Sequence, residues 1–186
     1  MLFRSSRQNN EPQWLLSKRL RSLMIYDESI ETKKERLSFS NFDLENFLSI
    51  QKSKIENNDF HIQRENRSGV LVFENGETKE LHFENELASK GIIVADFKAA
   101  LKNHSSLLEK YFMNDCVQIT DGKFVSMHGA LVENGVFVYV PKNVSAALPI
   151  HSHNFISQTN AAHFPHLMML SSRISYNTMS NLSFCR

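Results

Sequence analysis

His128-Gly-Ala-Leu-Val-Glu-Asn-Gly-Val-Phe-Val-Tyr-Val-Pro-Lys-Asn-Val-Ser-Ala-Ala-Leu-Pro-Ile150 is the stretch that decides the fold. Its centre, Val136–Val140, is five apolar residues in a row, which is typical of a strand buried on both faces. Asn134-Gly135 predicts a tight turn before this strand, and Pro141 ends it because proline has no N–H and a restricted φ. The stretch therefore predicts a short internal strand between two corners, and no catalytic group stands on it.

Composition and net charge exclude two classes of protein. The chain has 186 residues, of which 41% are hydrophobic and 22% charged, as is ordinary for a globular protein. Its net charge of +1 argues against a nucleic-acid surface, which needs a concentrated excess of Lys and Arg. The sequence has no run of ~20 apolar residues to span a bilayer, and its first residues lack the apolar core of a signal peptide. We therefore expect a cytoplasmic protein that binds neither nucleic acid nor membranes.

The charges are unevenly distributed along the chain. All 20 acidic residues lie at or before Glu133, and the 53 residues after it contain three basic ones, Lys142, Arg173 and Arg186. A segment of 53 residues without a carboxylate is poorly equipped to stay in solution by itself, and its end, residues 171–186, is rich in serine and has no apolar period. We expect an atypical tail there that does not form a further coil, produced by a shifted reading frame or a premature end.

Residues 69 to 94 predict a hairpin and a third strand. Val70–Phe73 and Thr78–Phe83 flank Asn75-Gly76, the residue pair that a type I′ turn favours. Ile92–Val94 is a short apolar run after a glycine and predicts the third strand. These elements place strands early in the chain, well before the organising stretch.

Helices are predicted on either side of these strands. Apolar residues recur at helical spacing from Trp14 to Met24, so we expect an amphipathic helix there. After the third strand, Asp96 and Ser106 are expected to cap two further short helices.

Beyond Val140 the sequence predicts short strands joined by corners. Ala146–Phe155 and His166–Leu170 are the two candidates, with a polar segment between them. Short apolar rungs at this spacing are typical of a β-solenoid, in which each coil packs on its neighbours.

Histidines provide the one chemical lead. His151, His153, His163 and His166 form an H-x-H pair followed by an H-x-x-H pair, and imidazole is the commonest metal ligand. Residues i and i+2 of a strand share a face, so His151 and His153 could chelate together. A cupin-like centre also needs a carboxylate a few residues on, and none follows Glu133. We therefore predict no metal site and expect four partly exposed histidines.

Cysteines and glycines carry little chemistry. Cys116 and Cys185 fit no redox or zinc pattern and are expected to stay reduced. A Cys-ligated cluster needs about four thiolates, so the chain cannot hold one by itself. The six glycines are spread along the chain as turn residues, which excludes a Walker-type phosphate loop.

Several of these segments together resemble the SufB/SufD scaffold family of iron–sulfur cluster assembly, and SufD more than SufB. The organising stretch carries most of the resemblance, with small-Ala-Leu, Asn-Gly, an apolar run, Val-Pro-Lys-Asn-Val and Leu-Pro-Ile. Trp-Leu-Leu-x-x-Arg-Leu from Trp14 is similar to the helix that begins these scaffolds. Gly-Ile-Ile-Val-x-Asp from Gly91 and Leu-x-x-Lys-Tyr-Phe-Met from Leu107 extend the resemblance, which is nearly continuous from residue 68 to Met169.

The resemblance implies an α+β fold. Residues 1–112 would form an N-terminal helical and mixed α/β region. Residues 113–170 would begin a right-handed parallel β-helix, and residues 171–186 would be the atypical tail of a truncated chain.

The resemblance also implies a function. The chain would be a non-catalytic scaffold component of a SufBCD-type complex in the SUF system, with a SufB-like scaffold and a SufC-like ATPase as partners. The family's cluster and ATPase-docking residues lie in the later β-helix and the C-terminal domain. We therefore assign no catalytic, cofactor-binding or metal residue and no cofactor to this chain. Two alternatives remain open: a small cupin-like enzyme with a His-bound metal, and an inert fragment without activity.

Overall fold

The structure is a computed structural model. It describes residues 6, 9–29, 48–49, 62, 64–157, 161–171 and 182–185, with the backbone alone at 48–49, 161–162 and 182–185. The chain divides into two compact units, each made of two segments. The first, here called the helical unit, consists of Met1–Phe47 and Lys98–Val132, and the second, the strand unit, consists of Leu48–Phe97 and Glu133–Arg186.

The described residues form five helices and nine strands. The helices are α1 (Gln13–Glu28), α2 (Asn85–Ser89), α3 (Phe97–Asn103), α4 (Ser105–Tyr111) and α5 (Lys123–Leu131). The strands are β1 (Leu48–Ser49), β2 (Gly69–Glu74), β3 (Glu77–Phe83), β4 (Ile93–Asp96), β5 (Gly135–Val140), β6 (Ile150–Phe155), β7 (Ala161–Ala162), β8 (His166–Ser171) and β9 (Leu182–Cys185). Within the described ranges, none of these helices combines the length and the apolar character needed to cross a membrane.

Close packing of α1 against α5 organises the helical unit. A Cβ added at Gly129 of α5 would come within 2.7 Å of Ser22 Oγ, so the glycine allows α1 to approach closely. Arg19 of α1 is buried beside it and donates through Nη1 to the carbonyl oxygen of Ala130 over 2.9 Å. The two helices are therefore joined by a small-residue contact and a charged hydrogen bond.

Pairs of parallel strands organise the strand unit. One sheet has the order β3-β2-β6-β9 and another the order β4-β5-β8; β1 pairs with β7. β3 and β4 are antiparallel to their neighbours, whereas β2–β6, β6–β9 and β5–β8 are parallel. The buried core lies between the strands and contains Leu71, Phe73, Leu87, Ile92, Val136, Val138, Val140 and Ile150.

The predicted elements are largely confirmed. The fold is α+β, β5 is internal to its sheet, and the hairpin turn has positive φ at both Asn75 (49°) and Gly76 (80°), as type I′ requires. The sequence missed α5, and it placed the start of α4 at a Ser106 cap, whereas α4 begins at Ser105 with His104 as N-cap and no side-chain cap bond. The division at residue 112 stays a prediction.

The tail differs from expectation at four residues. We expected residues 171–186 not to form a further coil, yet Leu182–Cys185 pairs in parallel with β6 as β9. Backbone hydrogen bonding does not require an apolar period, so a serine-rich segment can still supply a strand when a neighbouring strand presents a free edge. The origin of the tail stays a prediction, and most of it lies outside the described residues.

Candidate functional site

The H-x-H pair lies in the middle of β6. His151 and His153 share one face of the sheet, as predicted, and their ring centroids are 5.9 Å apart. His163 lies between β7 and β8, and His166 begins β8, where its ring centroid is 5.9 Å from that of Phe97. The structure thus brings the first two histidines together and places the other two at the start of a different strand.

A cation engages His151. Arg67 donates through Nε to Nδ1 of His151 over 3.2 Å. The accepting nitrogen has no proton, so a neutral His151 carries its proton on Nε2. Burial, Arg67 and His153 lower the pKa of His151. A metal ion would have to replace the Nε2 proton next to a guanidinium, so this arrangement disfavours chelation.

His153 is the more buried of the pair. Its exposed fraction is 8%, and its ring stacks on Phe155 with centroids 6.2 Å apart and planes 4° from parallel. Its Nε2 is buried, and no residue that the structure describes forms a hydrogen bond with it. Burial lowers the pKa of His153, and Arg64 and Arg67 lower it further, while Glu80 acts in the opposite direction. His153 is therefore a neutral group at pH 7 with an unused ring nitrogen.

Glu80 is a carboxylate on the same face, but it is already engaged. It shares a row of the sheet with His153, and Val72 lies between them. Arg64 donates through Nε and Nη2 to the two oxygens of Glu80 over 3.0 and 2.8 Å. The hydrogen bond from Arg64 lowers the pKa of Glu80. Sequence spacing could not show this carboxylate, because it arrives from β3 and is distant in the chain.

The remaining titratable groups do not complete a metal centre. Across the residues that the structure describes, no three His, Cys, Asp or Glu side chains are grouped to hold a metal ion. A Cβ added at Gly76 would lie 3.4 Å from both Glu133 Oε2 and the ring of His163, which places these two side chains over the hairpin turn. Burial lowers the pKa of His163, and its buried Nδ1 has no hydrogen-bond partner within the described part of the chain. The prediction of no metal site stays a prediction, and this geometry supports it.

The two cysteines occupy different units. Cys116 is free and exposed in the helical unit. Cys185 belongs to β9 in the strand unit, where its backbone pairs with that of His153.

Asn134 joins three parts of the strand unit, a role that sequence reasoning missed. Its side chain is fully buried, and Nδ2 donates over 3.1 Å to both Gly76 O and Thr78 Oγ1 of the hairpin. Its Oδ1 accepts from Gly135 N over 2.9 Å, and its backbone O accepts from His166 N over 3.0 Å. One residue thus sets the starts of β5 and β8 against the hairpin. The Asn-Gly pair predicted a turn, and the distant partners left no sequence signal.

In two of the sheets, parallel partner strands are separated by nearly the same number of residues along the chain. Gly135 of β5 pairs with His166 of β8, and Ile150 of β6 pairs with Leu182 of β9, so the partners lie 31 and 32 positions apart along the chain. Successive strands therefore join different sheets, and the chain returns to each sheet after a similar interval. Each return adds one parallel strand to its sheet.

The family model for the SufBD protein N-terminal region matches residues 39–151. The iron–sulfur cluster assembly protein SufD of Bacillus subtilis is 31% identical over 178 residues, which cover 89% of this chain and 40% of that protein. An iron–sulfur cluster assembly SufBD family protein of Staphylococcus aureus strain USA300 is 28% identical over 182 residues, which cover 89% of this chain and 39% of that protein.

The chain thus spans about two fifths of the length of the curated relatives it matches. The matched family region includes the hairpin, α2 to α5 and β5. More than half of the chain fits the family model, and the chain belongs to the SufBD family.

Proposed function

We propose that the chain is a non-catalytic, SufD-like scaffold component of iron–sulfur cluster assembly. It works in the cytoplasm within a SufBCD-type complex of the SUF system, beside a SufB-like scaffold and a SufC-like ATPase. The chain itself holds no cofactor, and the cluster is cargo of the complex. Its own contribution is a surface on which the partners assemble.

The 31- and 32-residue return of the chain to its two sheets is the observation that carries this proposal. Parallel strands stacked at a constant chain interval are the repeating unit of a solenoid, whose extended faces serve as binding surfaces. We propose that β5, β6, β8 and β9 are the first rungs of a right-handed parallel β-helix. β4 pairs antiparallel with β5, and the β2–β3 hairpin adjoins β6 through β2, so these strands mark where the stacks begin.

The histidine geometry supports a scaffold over an enzyme. Arg67 donates a hydrogen bond to His151, and Arg64 donates one to Glu80. The groups that a metal enzyme would use are therefore already bonded to cations. A working active site needs such groups directed at substrate or metal instead.

Co-purification tests the proposed assembly. The 186-residue chain, tagged, is expressed together with the SufB-like and SufC-like proteins of the same genome and recovered in moderate salt. The proposal expects the SufB-like protein to be retained. A matched sample with Gly135→Ala, which disrupts the start of β5, is expected to lose it.

A genetic test separates scaffold from enzyme. Removing the gene is expected to lower the activity of iron–sulfur enzymes in the cell, and the chain with both His151→Gln and His153→Gln is expected to restore as much activity as the unaltered chain. Recovery by the unaltered chain but not by a folded double variant would contradict a non-catalytic role. Absence of any partner and of any cellular effect would favour an inert fragment.

A further inference from the structure

β2 and β6 are paired along their whole length, and this pairing is here called the β2–β6 junction. Six residue pairs align in parallel, from Gly69 with Ile150 to Glu74 with Phe155. Backbone hydrogen bonds extend the pairing beyond both ends, from Ser68 N to Pro149 O and from Asn75 N to Phe155 O, each over 2.9 Å. This junction ties the early hairpin to the chain beyond Pro149.

His153 lies near the centre of this junction. It pairs with Val72 of β2, which is 2% exposed, and its ring stacks on Phe155. His153 is more than nine-tenths buried, and among the described residues its Nε2 meets no acceptor or donor. A second proton on this ring would place a charge in a buried environment where no described residue offers Nε2 a hydrogen bond.

The charged groups around His153 are mostly cationic. Arg64 and Arg67 precede β2, and both disfavour a positive charge on the ring. Glu80 of β3 favours it, but Arg64 already neutralises that carboxylate through two hydrogen bonds.

The other titratable groups on this face are histidines and two carboxylates at the end of the hairpin, Glu74 and Glu77. His82 of β3 is exposed and shares a row with His151, whose Nδ1 accepts from Arg67. On β9, Ser183 and Cys185 pair with His151 and His153 through the backbone. Glu74 of β2 pairs with Phe155, and its Oε2 lies 2.6 Å from Lys79 Nζ, so this carboxylate, like Glu80, is already paired with a cation.

We infer that His153 makes the β2–β6 junction an acid-sensitive joint, in which protonation of the buried ring releases β6 from the hairpin while the helical unit keeps its structure. Neither the fold nor the partners proposed above require this property, so it stands or fails independently of them.

The direction in which pH changes the stability of the junction follows from the lowered pKa of His153. The pKa of His153 in the folded chain lies below its ordinary value of 6.5, so the unfolded chain binds the proton more readily. Stability of the junction is therefore fully present above about pH 6.5 and falls as the pH drops from there through the lowered pKa. Each unit of lowering corresponds to a factor of about ten in the opening equilibrium.

Amide hydrogen exchange between pH 7.5 and 5, corrected for intrinsic rates, tests the inference on the intact chain. Protection of the β2 and β6 amides is expected to fall at least about threefold over this range, and that of α4 is expected to change less; α5 is no reference, because burial lowers the pKa of its His128. The variant His153→Gln keeps a neutral polar group and is expected to lose most of this pH dependence of β6 protection, and the remainder belongs to His151, whose pKa is also lowered. His82→Gln, an exposed histidine on the same face, is the matched control and is expected to behave as the unaltered chain.

Two further measurements keep the outcome decisive. If His153→Gln weakens the junction already at pH 7.5, His153→Phe provides an apolar replacement that can stack on Phe155. An NMR titration of the unaltered chain follows the His153 ring directly. The inference is overturned if β6 protection falls equally in the His153 variants, or if the ring takes up its proton at a pH different from that at which β6 protection is lost.

Discussion

Single residues decide where the strand stacks begin. Gly135 has a φ of 155°, and a Cβ added there would lie 1.9 Å from the carbonyl oxygen of His166. The backbone of β8 can therefore approach β5 only where position 135 has no side chain. Asn134 completes the same corner, because its buried amide satisfies groups of the hairpin that burial has removed from water.

We expect Gly135→Ala to lower the free energy of unfolding of the strand unit by about 3 kcal/mol or more, because backbone atoms cannot yield as a flexible side chain can. Urea denaturation monitored by far-UV CD measures this loss of stability. Gly122→Ala is the matched control, since Gly122 has a similar φ of 147° but open space around its added Cβ. It should cost about 1 to 2 kcal/mol from backbone strain alone. Equal losses in both variants would show that strain, and not the approach of β8, sets the requirement for glycine.

We also expect the dialysed chain to contain no stoichiometric metal at neutral pH, because Arg67 fixes the tautomer of His151 and adds a positive charge beside the pair. Elemental analysis measures this directly. Arg67→Ala releases Nδ1 of His151, so added zinc should bind this variant about tenfold more tightly than the unaltered chain. One tightly held zinc or iron per unaltered chain, lost on His151→Ala with His153→Ala, would contradict the prediction and favour the cupin-like alternative.

Elements are held together by contacts that cross long stretches of sequence. In the helical unit, Arg19 of α1 donates to both oxygens of Glu11 over 3.0 and 2.8 Å and to Ala130 O of α5. Trp14 of the same helix donates through Nε1 to Ser105 Oγ of α4 over 2.9 Å. The sequence predicted a helix whose apolar stripe, from Trp14 to Met24, faces the core; the helix is confirmed, but Met24 is exposed and the buried residues are Leu15, Arg19 and Ser22.

We expect Arg19→Ala to lower the free energy of unfolding of the helical unit by about 3 kcal/mol, because it leaves the buried Glu11 carboxylate without its partner. Chemical denaturation monitored by Trp14 fluorescence measures it, and Glu11→Gln with the double variant completes a thermodynamic cycle. The control is Arg64→Ala, which breaks an ion pair whose side chains are 53% and 32% exposed. That loss should be much smaller, since solvent already screens the pair. A similar loss of stability in both arginine variants would show that burial does not determine how strongly these ion pairs stabilise the fold.

At the scale of the whole molecule, the two units alternate along the chain. Lys98–Val132 returns the chain to the helical unit between two segments of the strand unit. Each unit has its own buried residues, among them Leu15 and Phe112 in the helical unit and Leu71 and Phe137 in the strand unit. The fold therefore depends on two cores, each assembled from segments far apart in sequence.

We expect the two units to respond separately to substitution. Arg19→Ala should reduce amide protection in α1 and α5 and leave β2 and β5 within about threefold of the unaltered chain, because each unit has its own buried core. Gly135→Ala should do the reverse. Hydrogen exchange with mass spectrometry reads both units in one experiment. A uniform loss of protection across both units for either variant would mean that they unfold as one cooperative structure.

Helices, strands and turns that depend on neighbouring residues could be predicted from the sequence alone. Asn75-Gly76 adopts positive φ wherever two strands flank it, and the apolar run Val136–Val140 is stable as a strand only when covered on both faces. The family resemblance, read from such segments, is likewise local, and the SufBD assignment confirms it. The strands at β6 and β8 were also foreseen, because short apolar rungs between corners are visible along the chain.

Only the tertiary structure decided which of these elements meet. Arg67 reaches His151, Glu80 shares a row with His153, and Asn134 bonds the hairpin across 58 positions of sequence. Such partnerships depend on strand register, and a shift by one residue would turn each side chain to the other face. Register is set by the packing of the whole core and not by any one segment. For this reason the sequence could identify the histidines as possible metal ligands. The sheet register determined that Arg67 forms a hydrogen bond with His151 and that His153 is buried.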